Sequence, residues 1–179
     1  EGVAEFVSVT AMGVPSVAPA IAYGQQNDAV RAKFEQEMFY GNNRHEWLWS
    51  NAENEFGVRD LGYYIGYAIC EKYYEAAADK KAAIKQMIEL DYEDEAAVEG
   101  FVDGTGFFSQ SLTELYKDFE ARRPTVTEVI PFENGSENVP PGKTKITVFF
   151  SEPLNGYNTG VDFGPLGEDY FPPLDSNRT

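Results

Sequence analysis

The hydrophobic period of this chain changes at Arg123-Pro124, and that change limits it to two modules of different class. Before it, apolar residues recur three or four positions apart, the spacing of one helix face. After it, Lys145-Ile146-Thr147-Val148-Phe149-Phe150 alternates as a strand does, with Pro-Gly ahead and Glu-Pro behind. The expected fold is a mainly α helical domain over residues 1–121 followed by an all-β module over residues 124–179. A β-sandwich needs about seven strands. Only two or three fit in the remaining length, so the second module is expected to be cut short.

Within the first module the pattern predicts a helix from Glu1 to Met12, carrying Val3, Phe6, Val7 and Thr10 and stopping at Gly13-Val14-Pro15. Pro15 to Gly24 reads as a packed irregular loop. Asn27 or Asp28 is placed to cap a helix whose stripe is Val30, Phe34, Met38 and Phe39. Asn42 to Asn51 reads as a short segment anchored by Trp47, Leu48 and Trp49. Leu61, Ile65, Ala68, Ile69 and Tyr73 give the strongest helical rhythm. Asp79 caps Lys80 to Leu90, Asp91 or Asp94 opens a helix ending near Gly104 and Gly106, and Ser109 or Ser111 caps Leu112 to Ala121.

Composition narrows the function. At 42% hydrophobic and 15% aromatic residues the chain can bury a core, which excludes wholesale disorder. A formal charge of -16, with basic residues clustered only as pairs such as Lys80-Lys81 and Arg122-Arg123, argues against nucleic acid and anionic membrane partners. No apolar run approaches the roughly 20 residues of a membrane span. The single cysteine, Cys70, lies in an apolar helical stretch and reads as a core residue. The single histidine, His45, would be its only partner for nucleophilic catalysis.

Leu61-Gly62-Tyr63-Tyr64-Ile65-Gly66-Tyr67 is costly as a helix, because each interior glycine loses about 1 kcal/mol relative to alanine. Two glycines four apart imply that something approaches that face closely, either a neighbouring helix or a ligand backbone.

Together with Glu1-Gly2-Val3-Ala4-Glu5-Phe6 ahead and Phe101-Val102-Asp103-Gly104-Thr105-Gly106-Phe107-Phe108 behind, this segment resembles the C-terminal part of a bacterial family of predicted zinc-dependent proteases. These are gluzincin-like proteins, often lipoproteins, catalogued as a domain of unknown function. The resemblance covers roughly residues 1–110. It implies an H-E-x-x-H helix upstream, a third zinc ligand at Glu1, and a Gly-Tyr-x-x-Gly-Tyr helix matched by Gly62-Tyr63 and Gly66-Tyr67. It also implies Zn2+ in the parent protein, a peptide or protein substrate and, where the parent is a lipoprotein, a lipid anchor upstream. Two histidines and a carboxylate are a common catalytic zinc set, and a tyrosine hydroxyl can stabilise an oxyanion. Tyr63, Tyr64 and Tyr67 are the candidates for that role.

The chain departs from the family where activity is decided. No H-E-x-x-H occurs, and His45-Glu46 is followed by Trp47-Leu48-Trp49. The opening residues read as the interior of a helix with no start methionine, so the chain is expected to derive from a longer protein and to be inactive alone.

The second module carries Pro124-Thr125-Val126, Pro131-Phe132-Glu133-Asn134-Gly135, Asn138-Val139-Pro140 and Ile146-Thr147-Val148-Phe149-Phe150-Ser151-Glu152-Pro153-Leu154. In this order they resemble the start of a bacterial Ig-like domain of the S-layer type, over residues 124 to about 170. That resemblance implies an extracytoplasmic location. The expected function is therefore part of an exported bacterial zinc metallopeptidase. The competing expectation is a non-enzymatic surface protein that binds or spaces, with Trp47, Trp49 and the tyrosines as a glycan or partner face. A pseudoenzyme with the same fold is the third.

Overall fold

A computed structural model describes residues 2–49, 51, 54–133, 135–138, 141–142, 145–154 and 162–171. Among them are eight α-helices and one two-stranded antiparallel sheet. The chain divides into two compact units, Glu1–Ala121 and Arg122–Thr179.

In the first unit the helices are α1 (Gly2–Met12), α2 (Pro19–Gly24), α3 (Ala29–Glu37), α4 (Arg44–Trp47), α5 (Leu61–Ala76), α6 (Lys80–Glu89), α7 (Glu95–Thr105) and α8 (Leu112–Ala121). The organising element is α5, against which α1, α2, α6 and α7 all pack. Seven of its sixteen residues are buried: Leu61, Tyr64, Ile65, Tyr67, Ala68, Ile69 and Cys70. They meet Phe6 and Val9 of α1, Ala20 and Ile21 of α2, Val30 of α3 and Met87 of α6 in one core. The loop after α7 is tied to α3, since Arg31 donates to the Phe107 carbonyl and the Ser109 N–H and hydroxyl both donate to Glu35.

The caps explain where the later helices start. Asp79 accepts from the N–H groups of Lys81 and Ala82, and Asp94 does the same for Ala96 and Ala97. Asp94 is thus the cap, while Asp91 turns the chain before it by accepting from the Glu93 N–H. Gly106 closes α7 in the left-handed conformation, at φ 58°. Ser111 accepts from the Glu114 N–H to start α8.

Two expectations are corrected. Residues 19–24 are not irregular: Pro19 sits in the first turn of α2, where its missing N–H costs nothing, and burial of Ala20 and Ile21 holds the short helix on α5. Trp49 is not an anchor. It is 51% exposed, because a left-handed backbone (φ 63°) turns the chain there. Trp47 alone of the two tryptophans enters the core.

The second unit contains β1 (Val126–Ile130) and β2 (Thr147–Phe150), paired antiparallel from Val126↔Phe150 to Ile130↔Thr147 with a register irregularity between Val126 and Glu128. Val126, Ile130, Val148, Phe149 and Phe150 are all exposed. Among the described residues this unit contains a small antiparallel ribbon, and a full all-β sandwich is not shown. Of the sequence motif in this unit, Asn134, Val139 and Pro140 lie outside the described residues.

Candidate functional site

Both helix-interior glycines of α5 are accounted for by packing. A β-carbon placed on Gly66 would lie 3.1 Å from the Gly2 Cα, and one placed on Gly2 would lie 2.4 Å from the Gly66 carbonyl carbon and the Tyr67 nitrogen. Here α1 crosses α5 backbone against backbone. At Gly62 an added β-carbon would meet the Trp47 carbonyl oxygen and Leu48 Cδ2, each at 2.9 Å. Of the alternatives the sequence left open, a neighbouring element, not a ligand backbone, occupies the glycine face at both positions.

The three candidate tyrosines separate. Tyr64 is 7% exposed, and its ring lies on Gly24 of α2, where an added β-carbon would fall 2.1 Å from the ring. Burial, with Asp28 adding repulsion, raises its phenol above the ordinary tyrosine range. Tyr67 is 8% exposed, and its ring meets Phe6 edge-on at 5.4 Å. Burial and the neighbouring Glu71 charge raise its phenol too. Tyr63 is half-buried on the adjoining face. The structure therefore places all three on α5, but commits the rings of Tyr64 and Tyr67 to the core.

Glu71, which sequence reasoning did not single out, is the polar centre of this face. Burial, followed by repulsion from Glu75, raises its pKa against the opposing influence of the neighbouring Gln25 and Tyr67. A carboxylate one turn beyond a tyrosine on the same helix face was the signal available in the sequence.

Cys70 is 1% exposed, and burial pushes its thiol up to about 11. Little thiolate forms at neutral pH, which removes it as a nucleophile. His45 is exposed on α4. Glu1, the position matched to the third zinc ligand, lies outside the described residues. Among the described residues no three His, Cys, Asp or Glu side chains are grouped to hold a metal ion.

A second polar corner lies between α3, α4 and the start of α5. A cavity of about 160 Å³ is lined by Lys33, Glu37, Trp47, Glu55, Phe56 and Leu61, among others. Lys33 pairs with Glu37 at 2.9 Å and with Glu55 at 3.5 Å, and the Trp47 indole donates to Glu37 at 3.2 Å. Those hydrogen bonds to carboxylates hold the Lys33 ammonium above its usual range despite partial desolvation. Beside this corner, the Trp49 N–H donates to Asp60 at 2.7 Å and the Arg44 guanidinium sits 5.6 Å from the Trp49 ring centre. The i,i+4 spacing of Lys33 and Glu37 was legible in the sequence; the contribution of Glu55 was not.

The three segments that carry the zinc-protease resemblance converge on α5. Gly2 meets Gly66, Phe6 meets Tyr67 and Tyr74, Phe101 meets Tyr73 at 4.7 Å, and Lys72 donates to the Gly106 carbonyl. Compared with family profiles, with curated proteins and with solved structures, the chain finds no match. No helix among the described residues is long and apolar enough to cross a membrane.

Proposed function

We propose that the chain belongs to an exported bacterial zinc-dependent metallopeptidase, contributing helices of the catalytic domain and the start of an Ig-like module. The observation that carries this reading is the convergence on α5. Residues 2–6 pack on Gly66 and Tyr67, and residues 101–108 reach the same helix one turn further on, at Lys72 and Tyr73. Zinc in such a protein supplies a polarised water for peptide-bond cleavage. The part played by this chain is to hold α1 against Gly66 and Tyr67 of α5. The chain alone is inactive, because it has one histidine and lacks H-E-x-x-H. The resemblance of the second unit to an Ig-like module supports an extracytoplasmic location.

Metal analysis tests this. A protein extended upstream to include an H-E-x-x-H helix is expected to purify with about one zinc per chain, and Glu1→Gln is expected to lose most of it, by 10-fold or more in affinity. Zinc content at background in the extended protein would remove the proposal.

The competing reading, a non-enzymatic surface protein, is favoured by one observation. Tyr64 and Tyr67 are core residues, whereas Trp49 stands exposed beside Arg44. An exposed tryptophan with an adjacent cation is a typical contact residue for a partner or glycan. The two readings part on Trp49→Ala, which leaves zinc content unchanged in the first and abolishes partner binding in the second.

A further inference from the structure

We infer that the groove between α1 and α6 is a self-association surface that pairs two copies of this chain about a two-fold axis. The starting point is α1 itself. Its sequence, GVAEFVSVTAM, carries one charge in eleven residues and only two further polar side chains, Ser8 and Thr10. A helix of that kind is covered all round. Here α5 covers the face bearing Gly2, Phe6 and Val9, while α6 makes only a thin contact on the other side. Between α1 and α6 run two adjoining openings of about 480 Å³ and 300 Å³, which share Val7.

The walls of this groove are mainly apolar, with Val3, Val7 and Ala11 from α1, Ile84 and Ile88 from α6 and Tyr92 just beyond it; Ser8 and Thr10 of α1 also line it. Ile88 is 58% and Tyr92 53% exposed. Contiguous apolar surface with a polar rim is the mark of a protein interface.

Charge at the two ends selects the occupant. Lys81 stands exposed at one end, beside Ala11 of α1, while the Lys80 ammonium next to it donates to the Tyr74 and Glu75 carbonyls. At the other end α6 finishes at Glu89 and the chain continues through Asp91 and Glu93, all exposed. A two-fold axis across the middle of the groove, near Val7 and Ile88, lays the basic end of each copy on the acidic end of the other. A self-complementary patch of this kind is what a symmetric dimer requires. The remaining acidic surface opposes association, so the dimer depends on the apolar stripe and is not a general stickiness of the chain.

Sedimentation velocity on the whole chain, over about two decades of concentration around micromolar, tests this. The expected result is a monomer–dimer equilibrium whose dissociation constant rises at least tenfold in Ile88→Asp and in Lys81→Glu. The double variant Lys81→Glu, Glu93→Lys is expected to recover it. Ile88 and Lys81 are exposed, so circular dichroism should show unchanged folding in both. A monomer at every concentration overturns the inference. So does a dimer indifferent to Ile88→Asp but lost in Phe150→Lys, which would place association on the β1–β2 ribbon.

Discussion

Gly2 and Gly66 are the contact on which α1 and α5 cross, with the Gly2 Cα only 3.1 Å from where a Gly66 β-carbon would sit. Alanine at Gly2 would drive its methyl into backbone at 2.4 Å, which cannot move aside as a side chain can. Overpacking of this sort costs about 1–3 kcal/mol. At Gly66 a similar but smaller clash is partly offset by the roughly 1 kcal/mol that alanine gains in a helix. Gly100 of α7 has nothing within 4 Å of its would-be β-carbon. Thermal unfolding is expected to rank the variants Gly2→Ala least stable, Gly66→Ala intermediate, and Gly100→Ala above the parent by up to about 1 kcal/mol. A stabilised Gly66→Ala would mean that the helices do not meet there.

Glu71 makes stability depend on pH in a stated direction. Its folded pKa is raised, first by burial and then by Glu75. The folded state therefore binds that proton more tightly than the unfolded chain. The resulting stabilisation is complete below the ordinary glutamate range and is lost as pH rises through the folded value. Glu71→Gln keeps the size and polarity of the side chain without the charge. It is expected to raise the melting temperature near pH 7 and to leave it unchanged near pH 4. Equal effects at both pH values would show that desolvation of the carboxylate is not what matters.

Cys70 gives a chemical readout of the core. With the thiol buried and raised to about 11, a thiol reagent near pH 7 should react only as fast as the first unit opens. Denaturant should accelerate labelling in step with loss of helical signal. Rapid labelling of the native protein would place Cys70 outside the core.

The second unit should be the less protected one. A two-stranded ribbon is marginal by itself, and the apolar side chains of Val148, Phe149 and Phe150 are 41%, 44% and 39% exposed. Hydrogen exchange at the amides of β1 and β2 is expected to be much faster than in the buried middle of α5. Comparable protection would sink the idea of an incomplete β module.

Much of the helical unit was legible in the sequence, and the reasons are local. Asp79, Asp94 and Gly106 act at short range, so their positions mark α6 and α7 without knowledge of the rest. The glycines of α5 announced a close approach, but which element approached depends on residues about 60 positions away, at Gly2, and no local pattern carries that. α2 was missed because six residues around a proline show too little periodicity to distinguish a helix from a loop. Trp49 was misplaced because a positive φ redirects a side chain that hydrophobicity alone would bury. The tyrosines were placed on the right helix, but the fate of Tyr64 was fixed by Gly24, which makes room for its ring.

The central claim is that the α1–α5 crossing belongs to a zinc peptidase, and reading the source DNA for about 100 codons upstream of Glu1 tests it most directly. An in-frame H-E-x-x-H is expected within a few tens of residues of Glu1, supplying the two histidines of a two-histidine, one-carboxylate site. A stop codon, or an open frame without the two histidines, would contradict it and leave a helical scaffold in which Gly2 and Gly66 serve packing alone.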